Sequence, residues 1–367
     1  MITYRTLEEI TEIEPTAVAV GNFDGVHLGH QKLIGKTVEF AREHGLKSAV
    51  FTFSNHPRNL IKTASPVKNI LYQHEKAEII ASLGVDYMID IPFTKEIMEM
   101  DPVAFVQELL LEKANMKAVF CGFNYTFGYK AEGNTDVLRN IGMDKGFSVN
   151  VMPPFMIDDN VVSSTLIRTL IASGQVERCK RYMGRNYEIA GEVVVGNRLG
   201  RKLGFPTSNL VIDKSMVTPP NGVYVTLCDY NGVKYPSVTN VGVKPTIGKY
   251  NKNVETHIFD FNKELYGKQI VVEFLKKTRD EVKFDNVQDL SEQIVRDCRE
   301  VKRFHELMKD CGEDDPSMVH FSVSEKYLNR LHEQSADKEY TEDGSDKGAD
   351  GIPPADKEGD KNSQSLK

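Results

Sequence analysis

The sequence predicts a parallel α/β sheet domain followed by a smaller, mainly β domain that ends in a helix. Three observations carry that expectation. Apolar strand-like runs alternate with helical patterns through residues 1–184. β-rich runs between Gly, Pro and Asn turns fill 185–333, and an amphipathic helical pattern lies near their end. A length of 367 residues fits two to three domains.

In the first domain, Ala17–Val20, Ser48–Phe53, Tyr87–Ile91 and Ala118–Cys121 read as short buried strands. Between them, Gln31–His44, Gln73–Leu83 and Asp101–Ala114 repeat apolar residues at three- and four-residue spacings, as helices do. Apolar strands separated by helices imply a parallel sheet covered on both faces. In the second domain, Tyr187–Val195, Gly222–Tyr230, Val233–Val241, Val254–Phe261 and Gln269–Lys277 suggest a small antiparallel barrel or sandwich. A helix over Ser291–Lys309 is expected to close it. Residues 334–367 form an acidic tail, with nine Asp and Glu against five Lys and few apolar side chains. Such a segment cannot bury enough apolar surface to offset its ordering entropy, so disorder is expected.

Composition excludes several classes of function. Forty-six basic side chains face 53 acidic ones, a net charge of −7, which argues against a general nucleic-acid binder. No apolar run approaches the ~18 residues that span a bilayer, and the N-terminus lacks a signal pattern, so no membrane partner is expected. The five cysteines, Cys121, Cys179, Cys228, Cys298 and Cys311, are scattered and never form C-x-x-C. They read as reduced thiols of a cytoplasmic protein, and no zinc site is expected.

Chemistry concentrates in two constellations. The strand Ala17–Val20 runs into Gly21-Asn22-Phe23-Asp24-Gly25-Val26-His27-Leu28-Gly29-His30, and a helix follows. A strand-to-helix junction offers free N–H groups and the positive helix end to an anion. The glycines let the backbone approach a ligand closely, and imidazoles can donate to phosphate oxygens. Two surface histidines beside a tight turn are the plainer reading of the same residues. Farther along, Phe53-Ser54-Asn55-His56-Pro57-Arg58 follows the second strand and Gly122-Phe123-Asn124-Tyr125-Thr126-Phe127 follows the fourth. In Val162-Ser163-Ser164-Thr165-Leu166-Ile167-Arg168, the hydroxyls are helix caps or phosphate donors, and Arg168 adds a forked cation one turn on.

The second constellation is Gly196-Asn197-Arg198-Leu199-Gly200-Arg201-Lys202-Leu203-Gly204-Phe205-Pro206-Thr207-Ser208-Asn209. It is not the G-x-x-x-x-G-K-[ST] loop. A basic, glycine-rich loop beside Thr207 and Asn209 still suits phosphate with a magnesium ion; a generic basic hairpin would look the same. Glu255, His257, Phe259 and Phe261 share one strand face by the two-residue period, which makes Glu255 either a rim charge or a positioned base.

The first constellation closely resembles the H-x-G-H signature of the nucleotidyltransferases. Its G-N-F-D-G-V-H form resembles the adenylyltransferase half of prokaryotic bifunctional riboflavin kinase/FAD synthetases. The P-T-S-N ending of the second resembles the P-T-A-N signature of riboflavin kinases. The resemblance implies a Rossmann-like first domain, a six-stranded Greek-key barrel in the second, and two consecutive reactions. Riboflavin plus ATP would give FMN, and FMN plus ATP would give FAD and pyrophosphate, with Mg²⁺ required.

On the same resemblance, Glu255, His27, His30 and Arg168 are the catalytic candidates. Gly21, Asn22, Phe23, Asp24, Gly29, Asn124, Ser164 and Thr165 join His27, His30 and Arg168 in binding one ATP. Gly200, Lys202 and Thr207 bind the other. Phe127, Asn209 and Glu255 would meet flavin, and Thr207 and Asn209 the metal. Ile61 stands where many members carry an aromatic residue. Small-molecule substrates are the expected partners, and a weak homo-oligomer is allowed. The rivals are another H-x-G-H adenylyltransferase, such as one serving coenzyme A or NAD synthesis, and a flavin- or RNA-binding regulator that has lost the chemistry.

Overall fold

Short apolar runs become a parallel sheet here because both of their faces are covered. The computed structural model describes residues 1–61, 65–196, 199–246 and 249–310, with residue 199, residues 244–246 and 249–251 and residue 310 described by backbone alone. Expectations that fall on Asn197, Arg198, Cys311 and the acidic tail lie outside the described residues. Strands β1 (Ile2–Tyr4), β2 (Thr16–Val20), β3 (Lys47–Phe53), β4 (Tyr87–Ile91), β5 (Met116–Gly122) and β6 (Ser148–Met152) lie in the order β1-β4-β3-β2-β5-β6. Every neighbouring pair is parallel.

Alternation along β2 shows why both faces are apolar. Ala17 and Ala19 join a core with Leu33 and Ile34 of α1 (Leu28–Glu43) and Ile79 and Ile80 of α2 (Gln73–Ser82). Val18 and Val20 join the core on the opposite face, with Ile97 of α3 (Lys95–Met98), Phe105, Leu109, and Leu138 of α5 (Thr135–Lys145). Between α3 and α5, α4 (Pro102–Ala104) runs into a π-helix, Phe105–Lys113. The wider turn brings both Phe105–Val106 and Leu109–Leu110 into the core, a winding that three- and four-residue spacing did not anticipate. After β6 come a small hairpin, β7 (Met156–Ile157) and β8 (Asn160–Val161), then α6 (Ser164–Ala172) and α7 (Val176–Met183).

The second half is a closed barrel of β9 (Tyr187–Val194), β10 (Ser208–Val211), β11 (Gly222–Tyr230), β12 (Val233–Thr246), β13 (Lys249–Ile258) and β14 (Gln269–Asp280). All neighbours are antiparallel, and β10 lies between β9 and β13 rather than beside β11. Strand β10 was not among the expected strands, being four residues long behind a Pro. A one-turn helix, α8 (Leu199–Lys202), precedes it. Helix α9 (Val287–Asp310) begins four residues before the expected start and packs Cys298 and Val301 on Val223, Val225, Val238 and Phe259.

One face assignment needs correction. Strand β13 ends at Ile258, and Asp260 takes a positive φ of 54°. The chain therefore turns, and Phe261 packs against Tyr230 and Tyr235 instead of continuing the face of Glu255 and His257.

The barrel and the sheet domain share buried contacts. Asn69 N–H donates to Ser215 O at 2.7 Å, Val217 N–H donates to Asn69 O at 2.9 Å, and one apolar cluster runs from Leu33 through Tyr187 to Phe274. The sheet domain also holds a buried ion pair. Lys76 Nζ is 3.2 Å from the fully buried Asp90 Oδ1, and Arg5 pairs with the same carboxylate. Removing one member of a buried pair leaves the other charge uncompensated. Asp90→Ala is expected to lower unfolding stability by about 3–5 kcal/mol, read from the denaturant midpoint. A loss below about 1 kcal/mol, the range of exposed ion pairs, would contradict it.

Candidate functional site

The sheet order reverses around β2, so the chain leaves β2 and β5 on opposite sides of a crevice at their carboxyl ends. Open α/β sheets bind ligands at such a point. A cavity of about 880 Å³ lies there. It is lined by Gly21, Asn22, Phe23, Asp24, His27, Gly29 and His30 from the turn after β2, and by Asn124 and Phe127 after β5. Ser164, Thr165 and Arg168 of α6 line it too, as do His56, Arg58 and Ile61. All the residues expected of the first constellation thus meet in one place.

The local chemistry explains their orientation. Helix α1 starts at Leu28, three residues earlier than its periodicity suggested, because His27 is its cap: Nδ1 accepts from His30 N–H at 3.2 Å. That bond leaves the His27 proton on Nε2. The two imidazoles stack with centroids 3.6 Å apart, and Phe23 meets His30 edge-on at 5.2 Å. Gly29 gives this stack room, since a Cβ there would lie 3.2 Å from the His27 ring and 3.4 Å from Phe155 Cβ and would press the ring by a few tenths of an ångström. His30 Nδ1 is buried without a hydrogen-bond partner, an orphan that a ligand or water in the crevice can satisfy.

Burial, with the Arg185 charge second, holds His27 down at about 4, and burial beside His27 holds His30 well below its ordinary value. Both rings are neutral donors at pH 7. Unfolding restores the ordinary His27 value of 6.5 and takes up a proton in acid. Its contribution is therefore full above about 6.5 and is lost as pH falls towards about 4, roughly 3 kcal/mol over the whole range. His27→Gln is expected to lose less stability than the parent between pH 7 and pH 4.5 in thermal melts. Equal slopes would contradict this.

Asp24 is drawn inward. Its carboxylate accepts from Ile70 N–H at 2.9 Å and Leu71 N–H at 3.4 Å and pairs with Arg168 Nη2 at 2.6 Å. It therefore orients Arg168, whose Nε also donates to Lys68 O at 2.8 Å. Ser163 caps α6 by accepting from Leu166 N–H, while the Ser164 hydroxyl donates to Asp24 O at 2.8 Å. The open first turns of α1 and α6 both face the cavity, a favourable field for polyphosphate. On the flavin-expected side, Phe127 contacts Phe105 and stacks with Tyr125. Gly133 fits it closely, for a Cβ there would lie 2.8 Å from the Phe127 ring.

Two cavities of the barrel are walled by Thr207 of the second constellation. One of about 350 Å³ is lined by Arg201, Pro206, Thr207, Ser208, Thr256 and Lys263 among others. The other, about 260 Å³, is lined by Gly200, Phe205, Thr207, Asn240, Glu255, His257 and, from α9, Leu290 and Ile294. Thr207 belongs to both walls. Strand register places Asn209 and Asn240 on either side of Glu255. Asn253 Nδ2 then donates to Glu255 Oε1 at 2.9 Å and to Asn209 Oδ1 at 3.2 Å. His257 Nδ1 donates to Pro206 O at 2.8 Å and fixes the turn that presents Thr207. Gly200 is needed because Phe205 O lies 2.4 Å from where its Cβ would be.

Two expected residues sit differently. Lys202 is exposed and lines none of these three cavities. Asn209 is 5% exposed, packed under Gly196, and reaches the cavity wall through Thr207, whose backbone O accepts from its Nδ2 at 3.3 Å. Asn253, Phe155, Arg279 and Asp297 escaped sequence reasoning. The last two form a two-pronged ion pair, 2.8 and 2.7 Å, between β14 and α9 in the wall of the smaller cavity. No group of three or more His, Cys, Asp or Glu side chains among the described residues could hold a metal by itself. The four described cysteines are free and buried. No helix among the described residues is long and apolar enough to cross a membrane.

A family model described as FAD synthetase matches residues 9–166, and one described as riboflavin kinase matches 183–305. A Bacillus subtilis bifunctional riboflavin kinase/FMN adenylyltransferase is 34% identical over 295 residues, covering 79% of this chain and 92% of the relative. The Escherichia coli K12 protein of the same name is 32% identical over 297 residues, covering 81% and 95%. A solved Streptococcus pneumoniae structure named as a macrolide-efflux protein is similar with a TM-score of 0.75 and 30% identity, over 82% of this chain and 98% of that one.

Proposed function

The chain belongs to the bifunctional riboflavin kinase/FMN adenylyltransferase family, and from that membership we propose which cavity runs which step and with which residues. The enzyme phosphorylates riboflavin to FMN with ATP and adenylylates FMN to FAD with release of pyrophosphate. The observation that carries the assignment is the separation of the two constellations. The stacked histidines and Arg168 line the crevice of the sheet domain, whereas Thr207 and Glu255 line cavities of the barrel.

In the barrel, ATP occupies the cavity rimmed by Arg201 and Lys263, and the flavin enters the more apolar one beneath Leu290 and Ile294. Thr207, on the shared wall, lies where the γ-phosphate and the ribityl 5′-hydroxyl meet. Glu255 takes the hydroxyl proton as that oxygen bonds to the γ-phosphorus and ADP leaves. Thr207 and Asn209 offer neutral oxygens of the kind Mg²⁺ binds, and Mg²⁺ characteristically completes its shell with phosphate and water. Thr207 lines both cavities and fits that role, whereas Asn209 is 5% exposed, lines neither and already accepts from Asn253 through Oδ1, so Thr207 is the side chain that would hold the ion. When bound, the ion neutralises phosphate charge.

In the crevice, an FMN phosphate oxygen attacks the α-phosphorus of ATP, one P–O–P bond forms and another breaks, and pyrophosphate departs. No protein nucleophile takes part. Neutral His27 and His30, Asn124, the α6 hydroxyls and Arg168 bind and orient the phosphates, so acceleration comes from positioning and charge stabilisation. Phe127 packs the flavin side. The reading includes a cytoplasmic location, supported by the free cysteines. Incubating the pure protein with riboflavin and MgATP, then resolving flavins by chromatography, should yield FMN first and FAD after it. FMN alone would remove the adenylyltransferase half. No conversion would leave a flavin-binding regulator.

A further inference from the structure

Arg185 lies inside the stretch matched by the riboflavin kinase model, yet its side chain points into the other half of the molecule. It is 6% exposed. Its Nη2 donates to Gly25 O at 2.8 Å, and its Nη1 reaches Val26 O and Met183 O at 3.4 Å each. Gln31 Nε2 holds the same Val26 carbonyl at 2.8 Å.

The held turn is under tension. Phe23, Gly25 and Val26 have φ of 49°, 80° and 32°, and a β-branched residue in that region persists only where its surroundings over-determine it. His27 follows directly. Any relaxation at Val26 therefore moves the α1 cap and the imidazole stack. Burial works against the guanidinium charge, and Glu188 of β9 and Glu75 of α2 work for it. Burial also raises those two carboxyls, to about 8 and about 7, so the backbone carbonyls are the partners that hold Arg185 near neutral pH.

We propose that Arg185 is a positioning residue for adenylyl transfer: from the start of the kinase half, it clamps the Gly25–Val26 turn so that His27 and His30 meet the transferring phosphates. FAD formation then depends on a side chain from the other module, while riboflavin phosphorylation does not depend on this clamp. The proposal rests on adenylyl transfer occurring in the crevice. Failure of that premise would appear separately, as undiminished FAD formation in His30→Ala.

The test compares full-length Arg185→Met and Arg185→Lys with the parent in both half-reactions. A misplacement of about 1 Å costs on the order of 10²-fold, so Arg185→Met should lower kcat for FAD formation from FMN by about 10–100-fold. The KM for MgATP should move far less, because the binding groups remain. Arg185→Lys keeps the charge and one donor, and should recover part of the loss. Riboflavin phosphorylation by the same preparations should stay close to parental and reports that the chain has folded. Unchanged FAD formation in Arg185→Met overturns the clamp, as does a parallel fall of both activities, which marks a merely structural role. Should Arg185→Met prove insoluble, Arg185→Lys decides. A selective drop in kcat for FAD formation upholds the proposal, and two parental activities overturn it.

Discussion

Glu255→Gln is expected to slow FMN formation by roughly 10²–10⁴-fold, the usual contribution of a positioned general base, and to leave FAD formation from supplied FMN near the parental rate. The amide keeps the volume of the side chain and an oxygen able to accept from Asn253 Nδ2, now 2.9 Å from Glu255 Oε1. The wall of the cavity should therefore survive while the proton acceptor is lost. Initial rates in the two half-reactions, started separately from riboflavin and from FMN, provide the check. An undiminished FMN rate would reduce Glu255 to a charge on the barrel rim. Loss of FAD synthesis with FMN synthesis spared would invert the assignment of chemistry to domains.

His30→Ala produces the reverse pattern. It removes one ring of the 3.6 Å stack and the partner that His27 presses against. Losing one preorganised donor to a developing phosphate charge costs about 10²–10³-fold in kcat, so FAD formation should fall by that order while riboflavin phosphorylation continues. Starting from riboflavin, FMN accumulates. Because Nδ1 of His30 is buried without a partner in the free protein, that atom takes no hydrogen bond with it, and the cost in stability is the lost packing of the ring on His27 and Phe23. A variant that melts much earlier and loses both activities would instead make His30 a structural residue.

How much of this was legible in the sequence differs from element to element. Runs such as Ala17–Val20 and Gly222–Tyr230 announce themselves, since a strand buried on both faces or paired through a barrel carries its pattern locally. The crevice was legible because its residues are delivered by four short segments, each following a strand or opening a helix. The helix start was misplaced by three residues because a histidine rarely caps a helix, and only the His30 N–H contact reveals that it does. Register is invisible to local pattern. Asn209 and Glu255 are 46 positions apart and become direct neighbours only when β10 pairs with β13, which is also why Asn253 between them was missed. Arg185 gave no signal for the same reason, as its partners are carbonyl groups of a distant turn. Lys202 erred the other way: a basic residue in a glycine-rich loop looked like a phosphate ligand, and the one-turn helix α8 leaves it exposed away from the cavities.

Two separate sites on one chain make a demand that neither variant tests by itself. Glu255→Gln alone converts riboflavin slowly, and His30→Ala alone stops largely at FMN. Mixed in equal amounts with riboflavin and MgATP, they should restore FAD production to near half the parental rate per chain, because FMN released from the intact barrel of one is adenylylated in the intact crevice of the other. FAD production in the mixture no faster than in the better single variant, with FMN demonstrably present in solution, would contradict the separation of the two chemistries.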